Sequence, residues 1–383
     1  MKSMKPRQWI ICLLFLVVLT SWAGGALGAP ATEGRWPEEK ARAWHEKMGW
    51  LAGCNYMPST AINQLEMWQA GTFDPATIDR ELGYAQGLGF NTVRVFLHDL
   101  VWAQDSKGFL DRMEQFLKLA DKHHIKPLFV FFDSCWDPDP KLGRQRDPKP
   151  FVHNSGWVQS PGRLYREHPE RMDELKGYVV GVLDHFRHDS RIAFWDLFNE
   201  PDNPNEPAYI KIEDPNKRQS SLLLLKKVFA WAREAQPSQP VSSGVWRGNW
   251  GVPEELGEFE KIQLNESDII TFHAYGPPDE VKGRIASLRV YHRPLVCTEY
   301  MARPVGSTFD PILGIFKKED VGAINWGFVS GKTQTIFPWD SWTKTYTSEP
   351  PLWFHDIFRQ DGTPYKQEEV RYIRQITLGA AGN

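Results

Sequence analysis

Two glutamates carry the chemistry that this sequence suggests. Glu200 ends the run FWDLFNEP and Glu299 ends PLVCTEY, each an apolar, β-rich segment that passes abruptly into polar residues. A single carboxylate in such a place is most often a solvated loop residue or a charge at a helix N-terminus. Two of them at the ends of separate strands, with Arg94, Asn199, His273 and Tyr275 at comparable heights, fit a narrower purpose. Breaking a glycosidic bond develops positive charge at the anomeric carbon and negative charge on a poor leaving oxygen. The site therefore needs a proton donor on one side and an anionic oxygen on the other. Two carboxyls supply both if they titrate differently. Trp195 and Phe198 beside Glu200 favour its protonated form, and Arg94 would keep Glu299 ionised. Taken singly, Arg94 reads equally well as a structural ion-pair partner, His273 as a core histidine and Trp326 as packing. Asp196 shares the parity of Glu200 but sits deeper, which suits a partner for a buried cation.

Such groups need strands to place them, and the chain supplies eight candidates: residues 50–56, 91–96, 127–132, 192–198, 240–245, 269–274, 294–298 and 322–328. Between them lie amphipathic stretches such as residues 111–123, 169–185 and 219–235, whose apolar spacing suits helices packed on one face. Strand and helix alternating eight times predict an α/β protein with a single (β/α)8 TIM barrel over residues 29–383. In that fold chemistry sits at the C-terminal ends of the strands. Side-chain alternation puts Arg94 with Thr92 and Phe96, His273 with Thr271 and Tyr275, Glu299 with Cys297, and Trp326 with Ile324 on inward faces.

In their order, NTVRVFLHD on the second strand, FNEP on the fourth, FHAY on the sixth, TEY on the seventh and NWGF on the eighth resemble the retaining glycoside hydrolases of clan A, most closely the cellulase-like family 5. The resemblance spans nearly the whole chain beyond residue 28. It implies that Glu200 is the acid/base and Glu299 the nucleophile. Arg94 and Tyr275 would hold the nucleophile, Asn199 would bind the sugar 2-hydroxyl, His273 would order the site and Trp326 would floor the subsite of cleavage. The sequence departs from the pattern at Met301, where a glycine is frequent after TEY, and in NYMPSTAINQLEMW and WGFVSGKTQTIFPW.

Composition agrees with a glycan as partner. Seventeen tryptophans offer indole faces for pyranose rings, with Trp68, Trp102, Trp136, Trp246, Trp250 and Trp339 in strand-end positions and half of these expected to be packing. Ser330, Lys332, Thr333 and Gln334 either bind sugar hydroxyls or form a polar turn. Loops of about 20 and 35 residues after the first and third strands favour a closed pocket, and with it short oligosaccharides or chain ends. The N-terminus, with Lys2, Lys5 and Arg7 before the apolar run 9–19, reads as a signal peptide cut after Gly28, which predicts a secreted or periplasmic protein with no stable membrane partner. Without residues 1–28 the net charge is 42 minus 48, or −6, which does not suit nucleic acid. Cys54, Cys135 and Cys297 allow at most one disulfide.

No metal or other cofactor is expected. The first strand ends GCNY without a His-x-His pair, and GLGFNT precedes a strand and lacks the third glycine of a phosphate loop. The non-enzymatic alternative is a sugar-binding protein on a barrel that has lost a carboxylate, and both carboxylates are present.

Overall fold

The computed structural model describes residues 34–379, so the expected signal segment 1–28 lies outside the described residues. Eight strands are present: β1 (Ala52–Asn55), β2 (Thr92–Phe96), β3 (Leu128–Asp133), β4 (Trp195–Asn199), β5 (Val241–Ser242), β6 (Ile270–His273), β7 (Leu295–Glu299) and β8 (Gly322–Asn325). They pair in parallel in the order β5-β4-β3-β2-β1-β8-β7-β6. The seam between β5 and β6 is closed by Val245, whose N–H donates to Thr271 O at 3.0 Å and whose carbonyl accepts from His273 N at 3.0 Å. The result is a (β/α)8 barrel. Strand β5 is shorter than expected because the Ser243 N–H bonds the Ser267 hydroxyl at 3.1 Å and so leaves the ladder.

The barrel interior is layered by chemistry. Its floor is apolar, with Leu51, Leu128, Phe194, Ile269, Val296 and Ile324 in one cluster covered by Trp44 and Met48 of the helix Glu38–Met48. Above that layer the inward residues turn polar, beginning with Arg94 and Asp196. Val93 and Val95 pack outward with the helices, so alternation along β2 is regular and points Arg94 inward.

Alternation fails at the tops of two strands, and the failure shapes the site. Phe198 packs outward against Phe132, and yet Asp196 and Asn199 both bond Arg94, an inward spacing of three residues. On β7 the register with β6 shifts, so that Phe272 faces Cys297 while His273 faces Glu299. Cys297 belongs to the cluster packed with the helices, which corrects its expected place on the inward face beside Glu299. A β-bulge of this kind inserts a residue, here Thr298, and re-aims the next side chain.

Three long loops stand on the strand ends. Residues 56–74 follow β1 and include the short helix Gln64–Trp68, and residues 134–162 follow β3. The longest, residues 326–366, follows β8, where the sequence carries no periodic signal to mark its extent.

Candidate active site

Arg94 is wholly buried and organises the centre. Its Nη1 donates to Glu299 Oε1 at 2.8 Å and to Asn55 Oδ1 at 2.9 Å. Its Nη2 donates to Asp196 Oδ2 at 2.8 Å and to Asn199 Oδ1 at 2.7 Å. Asp196 is the structural counterion expected from its depth. The other oxygen of Glu299 accepts from the Tyr275 hydroxyl at 2.8 Å. Asn199 is oriented at both ends, because its Nδ2 donates to Asp133 Oδ1 at 3.0 Å, and its remaining N–H has only the Cys135 sulfur at 3.6 Å.

Glu200 reaches the same space by a backbone turn. Its φ is +40°, in the left-handed region that non-glycine residues seldom occupy, and Pro201 follows it. This turn lets two successive residues, Asn199 and Glu200, enter one cavity where a regular strand would present only one. Glu200 Oε1 lies 2.7 Å from His273 Nδ1, and Oε2 accepts from Asn203 Nδ2 at 2.6 Å and from the Cys135 thiol at 3.4 Å.

The electrostatics separate the two carboxyls. Burial pushes both Glu200 and Glu299 above the usual carboxylate range. Glu299 is the better prepared to ionise, since a guanidinium and a phenol donate to it, whereas Glu200 has two neutral donors and an imidazole. Burial lowers His273 to about 4, so the imidazole is neutral above that pH. A protonated Glu200 can then donate to Nδ1, leaving Nε2–H facing Glu299 Oε1 at 3.5 Å. Oxygens of Glu200 and Glu299 and a ring nitrogen of His273 lie within 4.8 Å of one another, a set that could also ligate a cation. Arg94 already supplies the positive charge at Glu299, which disfavours a second one there.

Asn199, Glu200, Tyr275 and Glu299 open into a cavity of about 360 Å³ that Trp326 also lines, with Arg94 and His273 bonded to the two glutamates. All seven residues singled out by sequence, Arg94, Asn199, Glu200, His273, Tyr275, Glu299 and Trp326, therefore converge on one site. Of the six strand-end tryptophans, Trp136, Trp246 and Trp339 line the cavity. Trp68 and Trp250 are core, with contacts to Phe109 and Phe272, and Trp102 packs on Tyr178. The polar residues after β8 tie loop segments together, within the β8 loop and to its neighbours, and do not line this cavity. Lys332 bonds Glu66 at 2.6 Å, Gln334 bonds Lys149 O at 2.6 Å, Thr333 O accepts from Asn154 N at 2.8 Å, and the Ser330 N–H donates to Phe358 O at 2.8 Å.

The sequence reading missed Asp133, Cys135, Trp157 and Asn203. Asp133 ends the apolar run LFVFFD just as Glu200 and Glu299 end theirs, so the same signal marks it. It accepts from Trp157 Nε1 at 2.6 Å as well as from Asn199. The other three lie in aperiodic loops. The three described cysteines are free, so no disulfide braces the site.

No protein-family model matches the sequence, and no curated protein matches it. Solved structures do. The endo-β-1,4-mannanase of Thermotoga petrophila is 14% identical with a TM-score of 0.55, covering 89% of this chain and 79% of that one. The endo-1,4-β-mannanase of Rhizomucor miehei is 16% identical with a TM-score of 0.54, covering 87% and 95%. An exo-β-1,4-mannosidase from an Opitutaceae bacterium is 17% identical with a TM-score of 0.55, covering 86% and 60%. The chain has the fold of these glycoside hydrolases. Its Met301 has a φ of +78°, which is where a glycine would sit without strain. The strained backbone is held by Met301 N–H bonding the Ser307 hydroxyl at 3.0 Å and by His355 Nδ1 donating to Met301 O at 2.5 Å.

Proposed function

We propose that this protein hydrolyses the O-glycosidic bonds of β-linked glycans with retention of configuration, Glu200 acting as acid/base and Glu299 as nucleophile. The observation that carries the reading is the pair itself: two buried glutamates with oxygens within 4.8 Å, one bound to Arg94 and Tyr275, the other to neutral partners. Retaining enzymes hold their carboxyls about 5–5.5 Å apart, and inverting enzymes need about 6.5–9.5 Å to admit a water. The short gap supports retention. Glu200 would protonate the leaving oxygen while Glu299 attacks the anomeric carbon to give a glycosyl-enzyme. Glu200, now deprotonated, would take a proton from the water that displaces Glu299. Asn199, with an N–H facing only a sulfur, would meet the sugar 2-hydroxyl, and Trp326 would stack under the ring. The neighbours named as acting on β-1,4-mannans make mannosides the first substrates to try.

The test is a panel of aryl β-mannosides, glucosides and xylosides with the corresponding polysaccharides, following the first-formed anomer by proton NMR. Release of the β anomer is the expected result. The α anomer would overturn retention, and no turnover of any member by folded protein would overturn the activity and favour a binding protein.

A pH profile follows from the raised carboxyls. kcat/KM should rise as Glu299 ionises and fall as Glu200 loses its proton, both limbs lying above the usual carboxylate range. Cys135, whose thiol burial keeps neutral, donates to Glu200 and so favours its ionised form. Cys135→Ala should move the alkaline limb to higher pH and Cys135→Ser should leave it in place. An unmoved limb in the alanine variant would mean that the thiol does not tune Glu200.

We also infer from residues 1–28 that the enzyme is exported. N-terminal sequencing of protein recovered from outside the cytoplasm should begin at Ala29.

A further inference from the structure

The two sides of the glutamate pair are built differently. A second depression of about 390 Å³ adjoins the first and is lined by Glu200, Trp246, Gly276, Pro277, Glu280 and Arg284, and not by Glu299. The group that departs with a proton from Glu200 lies on the Glu200 side, so this depression is where the leaving part of a glycan would extend. It runs out to exposed Glu280, so a chain has a path to solvent there.

The opposite side is bounded by loops that are laced to one another. The β3 loop is laced to the β8 loop by six hydrogen bonds, the longest from Gln334 Nε2 to Val152 O at 3.3 Å. In the others Asn154 N–H donates to Thr333 O, Phe151 N–H to Gln334 Oε1, Gln334 Nε2 to Lys149 O, His153 N–H to the Ser341 hydroxyl and His153 Nδ1 to Phe337 O, at distances from 2.6 to 3.0 Å. The β1 loop joins the same wall through Lys332 with Glu66 at 2.6 Å and through Asn63 Nδ2 donating to Gly156 O at 2.9 Å. Above the lacing Trp136 stacks on Trp342 with centroids 5.5 Å apart and planes at 16°, and Tyr209 of the β4 loop meets Trp342 edge-on at 5.3 Å.

Trp136 holds its place against strain. Its φ is +70°, and the backbone is fixed by its N–H donating to Asn205 Oδ1 at 2.7 Å and its carbonyl accepting from Gln159 Nε2 at 2.8 Å. A bulky residue in that region persists only where its surroundings over-determine it, and such strain clusters at ligand clamps. Behind the floor, Trp157 meets Trp326 at 5.7 Å with planes at 62° and braces it.

Resting on the hydrolase reading above, we propose that the site is blind on this side and removes one sugar at a time from the non-reducing end of β-linked oligosaccharides. A polysaccharide cannot lie across the glutamates, because the laced loops occupy the track that its continuing chain would follow. The terminal residue enters over Trp326, and the rest of the chain leaves past Trp246 and Trp339.

The experiment uses mannopentaose, cellopentaose and xylopentaose, all β-1,4-linked and labelled at the reducing end, with the aryl β-glycosides as control. The expected first products are a labelled tetraose and free monosaccharide, followed by stepwise shortening of the ladder. Labelled products two or more residues shorter at the earliest times would overturn the proposal while leaving the hydrolase reading intact. No release from any aryl β-glycoside would instead overturn the hydrolase reading, and this proposal with it. Trp136→Ala combined with Trp342→Ala should open the wall and let internal cleavage products appear. A folded double variant with an unchanged ladder would show that the wall does not set the mode of attack, and the wild-type ladder decides the case if that variant fails to fold.

Discussion

Glu299→Ala is expected to lower kcat/KM on every β-glycoside by roughly 10⁴-fold or more, the scale on which removing a nucleophile acts. Glu200→Ala should cost a substrate with a poor leaving group about 10²–10⁴-fold, and one with a good leaving group much less in the first step. An activated aryl β-glycoside needs little protonation, so in Glu200→Ala the glycosyl-enzyme still forms and then accumulates for want of a base. Azide needs no base and should restore turnover there, giving a β-glycosyl azide. In Glu299→Ala the attacking oxygen is gone, and azide bound in the space it leaves would displace the aglycone directly to give an α-glycosyl azide. NMR of each azide product checks the assignment. An α product from Glu200→Ala with a β product from Glu299→Ala would reverse the two roles, and wild-type rates in both variants would remove both glutamates from the chemistry.

The proposed roles rest on strand ends that the sequence exposes and on details of those ends that the structure explains. Most of the eight strands are short, largely apolar runs bounded by polar residues, the pattern a buried parallel barrel requires, so the architecture was legible although β5 (Val241–Ser242) is not such a run. Arg94 was legible as inward because β2 alternates without interruption. The top of β4 was not, because parity assumes a regular strand, and the left-handed turn at Glu200 brings in Asn199 and Glu200 together. The face of Cys297 was misjudged for the related reason that Thr298 bulges. Of the wall around Trp136 and Trp342, only Trp136 and the length of the loop after β3 left a signal in the sequence. The wall is made by hydrogen bonds between loops far apart in sequence, which neither composition nor periodicity encodes. Met301 is an intermediate case, since a bulky residue at a position that tolerates glycine is visible as a departure, but its cause is a φ that only coordinates supply.

Arg94→Met should have the largest effect on stability, and its pH dependence tells an electrostatic role from a packing role. The side chain is fully buried and bonds Asp196, Glu299, Asn199 and Asn55. Methionine can fill much of the volume but leaves the buried carboxylates without their cation, a change that costs about 3–5 kcal/mol. Loss of the guanidinium also removes an attraction that favours ionised Glu299, so its carboxyl, already raised by burial, would rise further. A carboxyl raised in the folded state contributes stability below its unfolded pKa and loses that contribution as pH rises through the folded value. The deficit of Arg94→Met against wild type should therefore be smallest in acid and grow toward neutral pH. The acid limb of kcat/KM should move upward in parallel, because the nucleophile ionises later. Urea unfolding of both proteins at pH 4.5 and pH 7, with kcat/KM measured across that range, checks both effects. A deficit equal at the two pH values, or an acid limb that stays where it is, would mean that Arg94 stabilises the barrel by packing and leaves Glu299 to other groups.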